Sequence, residues 1–518
     1  MKQISHAPLF RIALVFVLGL LASFEGFPSH WASLAICIAL GLQFVPKAYT
    51  KSRLILIGNL SWYLTALGCG GLLVLAQPVQ DMTQPDLYTY MCAERHMIAI
   101  PDGPVKKSRF GKQVDAQVIA VWDDSLWQSV SGRIRLRFSL EDTSEVAPWD
   151  SIQVYAYVRD LWVKNKGYQE YLNKQNLKHV AYVKRFQKQG KYATIQAESW
   201  RVQNQLSSRV QKLVSGEKEK AIACAMLLGD KRLLTSETKK AFSVSGLSHI
   251  LAISGLHVGI IFLILNALVK PLKRFKNGNA AGQLIVMMIL IGYMLIAGAA
   301  PAVCRSVMMF GLMTLVRMFG KRVSILNVLG ASALIQLMIN PELVLSLGFQ
   351  LSYLAVAGIV LLMPFFEKYT KTHNYFLDMF FGWMAVSISA TIFTAPLIIL
   401  HFGVFPAHFI LANVAVSLVV FFAVMAGFLT VLTAYIPCIG EVMGMFSSKV
   451  LMVLQWIVEW TAQLPGAQIS SLNDEGVLWL VLELAVAGIL MLSPKIWAVL
   501  KDRPIMEIVS AKATRSYL

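Results

Sequence analysis

Two histidines, two serines and three glycines fall inside one apolar stretch of span length, Gly246-Leu247-Ser248-His249-Ile250-Leu251-Ala252-Ile253-Ser254-Gly255-Leu256-His257-Val258-Gly259. Polar and glycine-rich backbone at membrane depth is tolerated only against protein or a water-filled cavity. Three chemistries suit these residue types. His249 and His257 are eight residues apart, about 80° on a continuous helix, so they could share a broad face and hold a metal unless Ser254-Gly255 breaks the helix. No carboxylate or third histidine stands near them in sequence, which weighs against the metal. Ser254 and His257 are the types of a nucleophile and its base, as in an intramembrane hydrolase. Otherwise the segment is a polar lining for a hydrophilic cargo. Gln350, Ser352 and Asn413 are further polar groups in apolar stretches, where hydrogen bonding between helices is the plainer role, and Arg305, at a helix start near the outer face, is the main cation among the spans. Glu483, alone in the last apolar run, reads as a buried interhelical partner before a proton-linked site. The methionines at 287, 288, 294, 308, 309 and 313 read as packing.

A second constellation lies in a hydrophilic stretch. Between 159 and 191 there are nine basic residues (Arg159, Lys164, Lys166, Lys174, Lys178, Lys184, Arg185, Lys188, Lys191) against Asp160 and Glu170. Tyr155, Tyr157, Trp162, Tyr168, Tyr171, Tyr182, Phe186 and Tyr192 lie among or beside them. Cations neutralise phosphates and aromatic faces stack unpaired bases, so the patch has the composition of a single-strand binding surface. The plainer alternative is a basic face beside anionic headgroups.

The elements that must position these groups follow from composition. The chain has 518 residues, 56% hydrophobic and only 15% charged, with 47 Lys+Arg against 29 Asp+Glu, a formal charge of +18 and a mean hydropathy of +0.59. Soluble domains carry about 25% charged residues, so a cytoplasmic enzyme is excluded. Apolar runs of about 17–25 residues match a ~30 Å hydrocarbon core. They predict a polytopic α-helical membrane protein with about twelve spans: 9–25, 31–46, 54–76, 247–268, 282–299, 302–319, 325–340, 343–366, 379–402, 408–432, 442–464 and 476–493. The run 442–464 is the weakest, interrupted by Lys449 and Glu459, and could re-enter rather than cross. The resulting segments are 1–76 (three spans), 77–205 (a hydrophilic insert), 206–245 (an amphipathic connector), 246–495 (the main bundle) and 496–518 (a basic tail).

Basic residues in short loops, among them Lys47, Lys51, Arg53, Lys270, Lys273, Arg274, Lys276, Arg317, Lys321, Arg322, Lys368 and Lys371, all agree on one parity. By the positive-inside rule both termini are cytoplasmic and 77–205 is extracytoplasmic. The first apolar run is followed by two more without a clear cleavage site, so it does not read as a cleaved signal. The insert alternates apolar and polar residues over 113–121, 132–140 and 151–158, separated by turn residues, and predicts a small β barrel closed by a strand near 192–202. The cysteines (37, 69, 92, 224, 304, 438) have no metal-like spacing.

With these residues in view, the segment 246–259, GLSHILAISGLHVG, resembles the strongest signature of the ComEC competence family, GLxHLLAISGLHVG, the membrane channel for transforming DNA. Leu227-Leu228-Gly229-Asp230 is similar to an element before it, and Pro301 with Arg305 to a Pro…Arg element after it. Gly348-Phe349-Gln350-Leu351-Ser352-Tyr353 with Gly358 resembles "GFQLSF…G". Thr394-Ala395-Pro396, Phe402, Pro406 and Asn413 resemble "T-x-P…F…P…N". Asn165-Lys166-Gly167-Tyr168, Tyr171 and Leu172 are similar to "NPGxFDYxxYL" of the family's OB-like external domain, with Lys166 for the usual proline and Glu170 for the usual aspartate.

The resemblance implies an OB-like insert, transport of single-stranded DNA across the cytoplasmic (inner) membrane during natural transformation, and no covalent step. His249, Ser254, Gly255, His257, Gly259, Arg305, Gln350, Ser352 and Asn413 would then belong to the channel. Arg159, Lys164, Lys166, Tyr168, Tyr171, Lys174, Lys178, Lys184 and Arg185 would meet the strand outside. Many family members end in a metallo-β-lactamase-like nuclease domain, but no H-x-H-x-D-H occurs here, so cleavage is expected to be absent or supplied by another protein. No G-x-x-x-x-G-K-[ST] occurs either, so an ATPase or DNA-binding protein inside, or the membrane potential, would drive transport. Single-stranded DNA and membrane lipid are thus the expected partners, with an extracytoplasmic DNA receptor, a separate nuclease, a cytoplasmic ATPase or DNA-binding protein, and further copies of the chain; no cofactor or metal is expected. A solute or lipid transporter on the same bundle, or an intramembrane hydrolase, are the competing classes.

Overall fold

The computed structural model describes residues 7–24, isolated positions within 65–73, 93–103, 105–108, 111–123, 126–138, 146, 148–162, 169, 172, 177–191, 194–275, 278–318, 324–370 and 374–469. The chain divides into two compact units, Gln77–Gln205, and Met1–Ala76 with Leu206–Leu518.

The smaller unit is a barrel. Its strands are β1 (Glu94–Pro101), β2 (Lys106–Ser108), β3 (Gly111–Asp123), β4 (Leu126–Phe138), β5 (Asp150–Asp160) and β6 (Leu177–Lys191). β1, β5, β6, β4 and β3 are neighbours in that order, and β3 returns to pair with β1, which closes the ring. All main pairings are antiparallel except β4 with β6. This is the OB-like architecture the sequence implied, with the short β2 added at the edge of the closed ring. Period-2 patterning puts Val154, Ala156 and Val158 inside and Tyr155 and Tyr157 outside. Met97, Val114, Val118, Ile134, Leu136 and Ile152 complete a filled interior, where each large aliphatic side chain contributes about 1.5–3 kcal/mol on burial. The strand expected near 192–202 is instead helix: Thr194 accepts from the Ala197 N–H at 3.1 Å and starts α2 (Ile195–Leu213). The closing strand is β6, within the basic stretch.

The larger unit is helical. Among the described residues seven helices are long and apolar enough to cross a membrane, and the protein is a multi-pass membrane protein. They are α5 (Gly255–Val269, apolar to Leu272), α6 (Gly278–Ile296), α7 (Pro301–Met318), α9 (Leu347–Thr370), α10 (Tyr375–Phe402), α11 (Phe409–Thr433) and α12 (Ile439–Ala462). Two shorter apolar helices, α1 (Pro8–Phe24) and α8 (Ile325–Ile339), pack on each other. The expected spans 31–46 and 476–493, most of 54–76, the tail 496–518 and Glu483 lie outside the described residues.

The stretch expected to cross as 247–268 becomes helical only at Gly255, so His249 and His257 do not share a helix. Ser254 sits extended at the cap, and the preceding glycine-containing stretch makes turns instead. The weak run 442–464 is a continuous helix. Its Glu459 is held by Lys218 at 2.9 Å and by Gln455 at 2.8 Å. The connector holds α3 (Glu217–Leu228) and α4 (Ser236–Val244). It is not amphipathic throughout: residues 221–228 of α3 are all buried, in one core with α11, α12 and the 247–251 turn.

Candidate functional site

Two regions gather the residues named by the sequence, one in each unit. In the barrel, cross-strand register aligns outward side chains into a band. Glu94, Tyr157, Tyr182 and Arg137 are successive partners across β1, β5, β6 and β4, and His96, Tyr155 and Arg185 form the neighbouring row. The rings of His96 and Tyr155 are 4.6 Å apart. Arg137 lies 5.6 Å from the Tyr182 ring centre, and its Nη1 donates to Tyr182 Oη at 3.2 Å.

Charges in this unit sort into answered and unanswered. Arg133 bonds Asp102, Arg135 bonds Asp115 at 2.6 and 3.1 Å, and Lys188 faces Asp150. Glu94 takes hydrogen bonds from Lys184 and Tyr155, which hold its carboxyl below the usual range. Arg159, Lys178 and Arg185 are exposed and have no carboxylate partner among the described residues. Lys164, Lys166, Tyr168, Tyr171 and Lys174 lie outside the described residues. The contribution of β4 was not anticipated, although Arg133-Ile134-Arg135-Leu136-Arg137 carries its signal: arginines at period two all face outward. A band of tyrosines with free guanidinium and ammonium groups beside them can stack bases and meet phosphates.

In the helical unit, motifs far apart in sequence meet through close backbone approaches. α3 ends at Gly229 in the left-handed region (φ 74°), and a Cβ there would lie 3.1 Å from the Ala297 carbonyl. Tyr293 donates to the Leu227 carbonyl at 2.8 Å, so the 227–230 element is pinned to the end of α6. Asp230 is buried and takes bonds from Arg232 at 2.8 Å and Ser207 at 2.8 Å. Burial alone would raise its pKa, but those bonds outweigh it and hold the carboxyl below its ordinary value. Gly246 (φ 77°) faces Pro406, where a Cβ would fall 2.8 Å from the proline ring. Leu227 fills the notch left by Gly427.

At the start of α5, Ser254 is the cap. Its N–H donates to His257 Nδ1 at 3.0 Å, and its Oγ lies 2.7 Å from the same nitrogen. Because Nδ1 accepts from the backbone, the neutral ring carries its proton on Nε2, which is buried without a partner. The serine–histidine pair is therefore a local capping arrangement between residues three apart. Among the described residues no carboxylate is bonded to the ring. Gly255 opens α5 against α7: a Cβ would lie 3.0 Å from Ser306 Oγ and 3.3 Å from Arg305 Nη2. Gly259 faces Phe310. Arg305 is 5% exposed, lies 5.6 Å from the Tyr353 ring centre, and has Nε and Nη1 unpartnered. Tyr353 Oη is engaged with Ser332 at 3.0 Å and Gln336 at 3.2 Å.

Of the remaining candidates, Asn413 makes a hydrogen bond between helices and Gln350 a local one. Asn413 donates to Ser387 Oγ at 3.1 Å between α11 and α10, and Gln350 donates to the Val344 carbonyl at 2.7 Å. Ser352 is half-buried. His249 is exposed in the turn before α5. Among the described residues no group of three His, Cys, Asp or Glu is placed to hold a metal. A cavity of about 540 Å³ beside α2 and α3 is lined by Lys212, Lys218 and Lys220, the last two tied to Glu459 and Glu217.

A family model described as competence protein matches residues 226–497, just over half of the chain. An uncharacterized protein of Aquifex aeolicus (strain VF5) is 29% identical over 271 residues, 52% of this chain and 61% of its own. ComE operon protein 3 of Bacillus subtilis (strain 168) is 29% identical over 184 residues, 36% of this chain and 22% of its own. The chain thus covers less than two thirds of either relative. No solved structure matches it.

Proposed function

The chain belongs to the competence protein family, and from that premise we propose that it takes part in DNA uptake by carrying a single strand across the cytoplasmic membrane. The barrel, extracytoplasmic by the charge parity of the loops, receives the strand, and the helical unit conducts it. The observation that carries this reading is the outward band of Tyr155, Tyr157 and Tyr182 with Arg137 and Arg185. Stacking on tyrosine is sequence-tolerant, and cations track the backbone, which suits a cargo of any sequence. A strand crossing ~30 Å presents about nine phosphates at duplex-like spacing, so the conduit must be polar yet hold few cations, or the strand would stall. No P-loop or metallo-nuclease motif occurs in the sequence, so neither energy supply nor second-strand cleavage is assigned to these residues.

The test is binding of a labelled single strand to the full chain across a salt series. The expected result is binding that weakens steeply with salt and falls about tenfold or more in a Tyr157→Ala/Tyr182→Ala variant. A folded chain that fails to bind at low salt, or binds equally well without both tyrosines, would return the helical unit to the solute or lipid transporter class.

A further inference from the structure

Arg305 is 95% buried by its 5% exposure, and its Nε and Nη1 have no hydrogen-bond partner among the described residues. Its Nη2 reaches the first residue of α5, 3.3 Å from where a Gly255 Cβ would be. α5 is 15 residues long, and its first-turn N–H groups point out of the helix with a partial positive charge. The Ser254 cap can satisfy at most one of them. The Tyr353 ring lies 5.6 Å from the guanidinium, and its hydroxyl is already shared with Ser332 and Gln336. A permanently charged arginine and a helix N-terminus therefore meet in a buried place with no described carboxylate between them. Two positive ends at close quarters in a low-dielectric interior are unfavourable until an anion joins them.

The geometry points to an oxyanion site of the phosphate class, formed by the Arg305 guanidinium and the first-turn N–H groups of α5. Gly255 keeps the approach clear of a side chain. The planar guanidinium fork matches two phosphate oxygens, and helix N-termini accept phosphate readily. The occupant supplied by the functional reading is a phosphodiester of the passing strand; only its identity, not the site, rests on that reading. An anionic lipid headgroup offers the same chemistry. A single such site grips one phosphate at a time and releases it to the next, as conduction requires.

The experiment is thermal unfolding of the full chain in phosphatidylcholine nanodiscs at fixed ionic strength. Chloride is compared with inorganic phosphate and with the short oligonucleotide dT4, and a second set of discs contains phosphatidylglycerol. Phosphate and dT4 should raise the wild-type midpoint by about 2–4 °C at ten times their dissociation constant. Arg305→Gln should abolish the shift while melting no lower than wild type in chloride, because removing one of two facing positive charges relieves repulsion. Gly255→Ala, which keeps the arginine and narrows the cradle, should also lose the shift. A shift from phosphatidylglycerol alone, with no addition from dT4, would support the site with a headgroup as its occupant. No phosphate shift in wild type, together with an Arg305→Gln protein several degrees less stable, would overturn the site and make Arg305 one half of a structural ion pair. Failure of the strand reading is separable: the full chain would then bind no DNA while the phosphate shift persisted.

Discussion

Two arginines, Arg135 in the barrel and Arg305 in the helical unit, are almost equally buried, at 7% and 5% exposure. Arg135 donates two bonds to Asp115; Arg305 has a tyrosine ring and unpartnered nitrogens. The first is what a fold does with a charge it must bury. Desolvation is offset by a carboxylate of fixed geometry, and the pair stiffens the β3–β4 register. The second is a charge kept buried with no carboxylate partner among the described residues, which costs stability unless something else supplies the anion. The contrast separates structural from functional charge better than burial or charge alone.

Mutations sharpen that contrast. The largest effect is expected in the barrel: Asp115→Ala removes both carboxylate bonds of a buried guanidinium and should destabilise the protein by about 3 kcal/mol, read by denaturant unfolding of the barrel signal. Equal tolerance of Asp115→Ala and Arg305→Gln would erase the distinction. Next comes Asp230, the buried carboxylate of the helical unit that is fully answered. Its folded pKa is depressed, so its contribution is present above the unfolded value of about 3.9 and is lost as pH falls through the folded value. Asp230→Asn should cost about 2 kcal/mol near neutral pH and flatten that acid limb, checked by melting as a function of pH.

Tyr182→Ala should weaken single-strand binding by about 1–3 kcal/mol with little change in stability, since the ring is partly exposed. Arg185→Gln should lower the salt slope by about 0.7, the share of one phosphate contact on a single strand. The smallest effect belongs to Lys218 and Glu459, a half-exposed pair whose removal should cost at most about 1 kcal/mol.

Much of the architecture was legible because patterning and packing agreed. Strand β5 alternates cleanly and β3 and β4 do so up to the shift between Val118 and Ala120, and the apolar runs that fall on described residues match helices within about four residues, except 247–268, which becomes helical only at Gly255. β6 was harder: its outward face is so rich in Lys and Arg that the stretch read as a patch, and register shifts beside Ser151 and Tyr155 break its period against β5. The helix at 195 was signalled by Thr194, a local cap that outweighed the alternation after it. At the site, the residue types were visible but their partnership was not. Ser254 and His257 suggested catalysis from spacing that in fact builds a helix cap, and nothing in sequence brings Gly255 to Arg305 or Tyr353, because those contacts depend on how α5, α7 and α9 pack.

The most direct test of the account is photocrosslinking from both units to the same labelled single strand on the full chain. A benzoylphenylalanine replaces Tyr182 in one protein and Tyr353 in another. The account predicts strand crosslinks from both positions, with the Tyr353 crosslink lost when Arg305 is changed to Gln. Crosslinks at Tyr182 with none at Tyr353 would contradict it, leaving a barrel that binds DNA and a helical unit that does not conduct it.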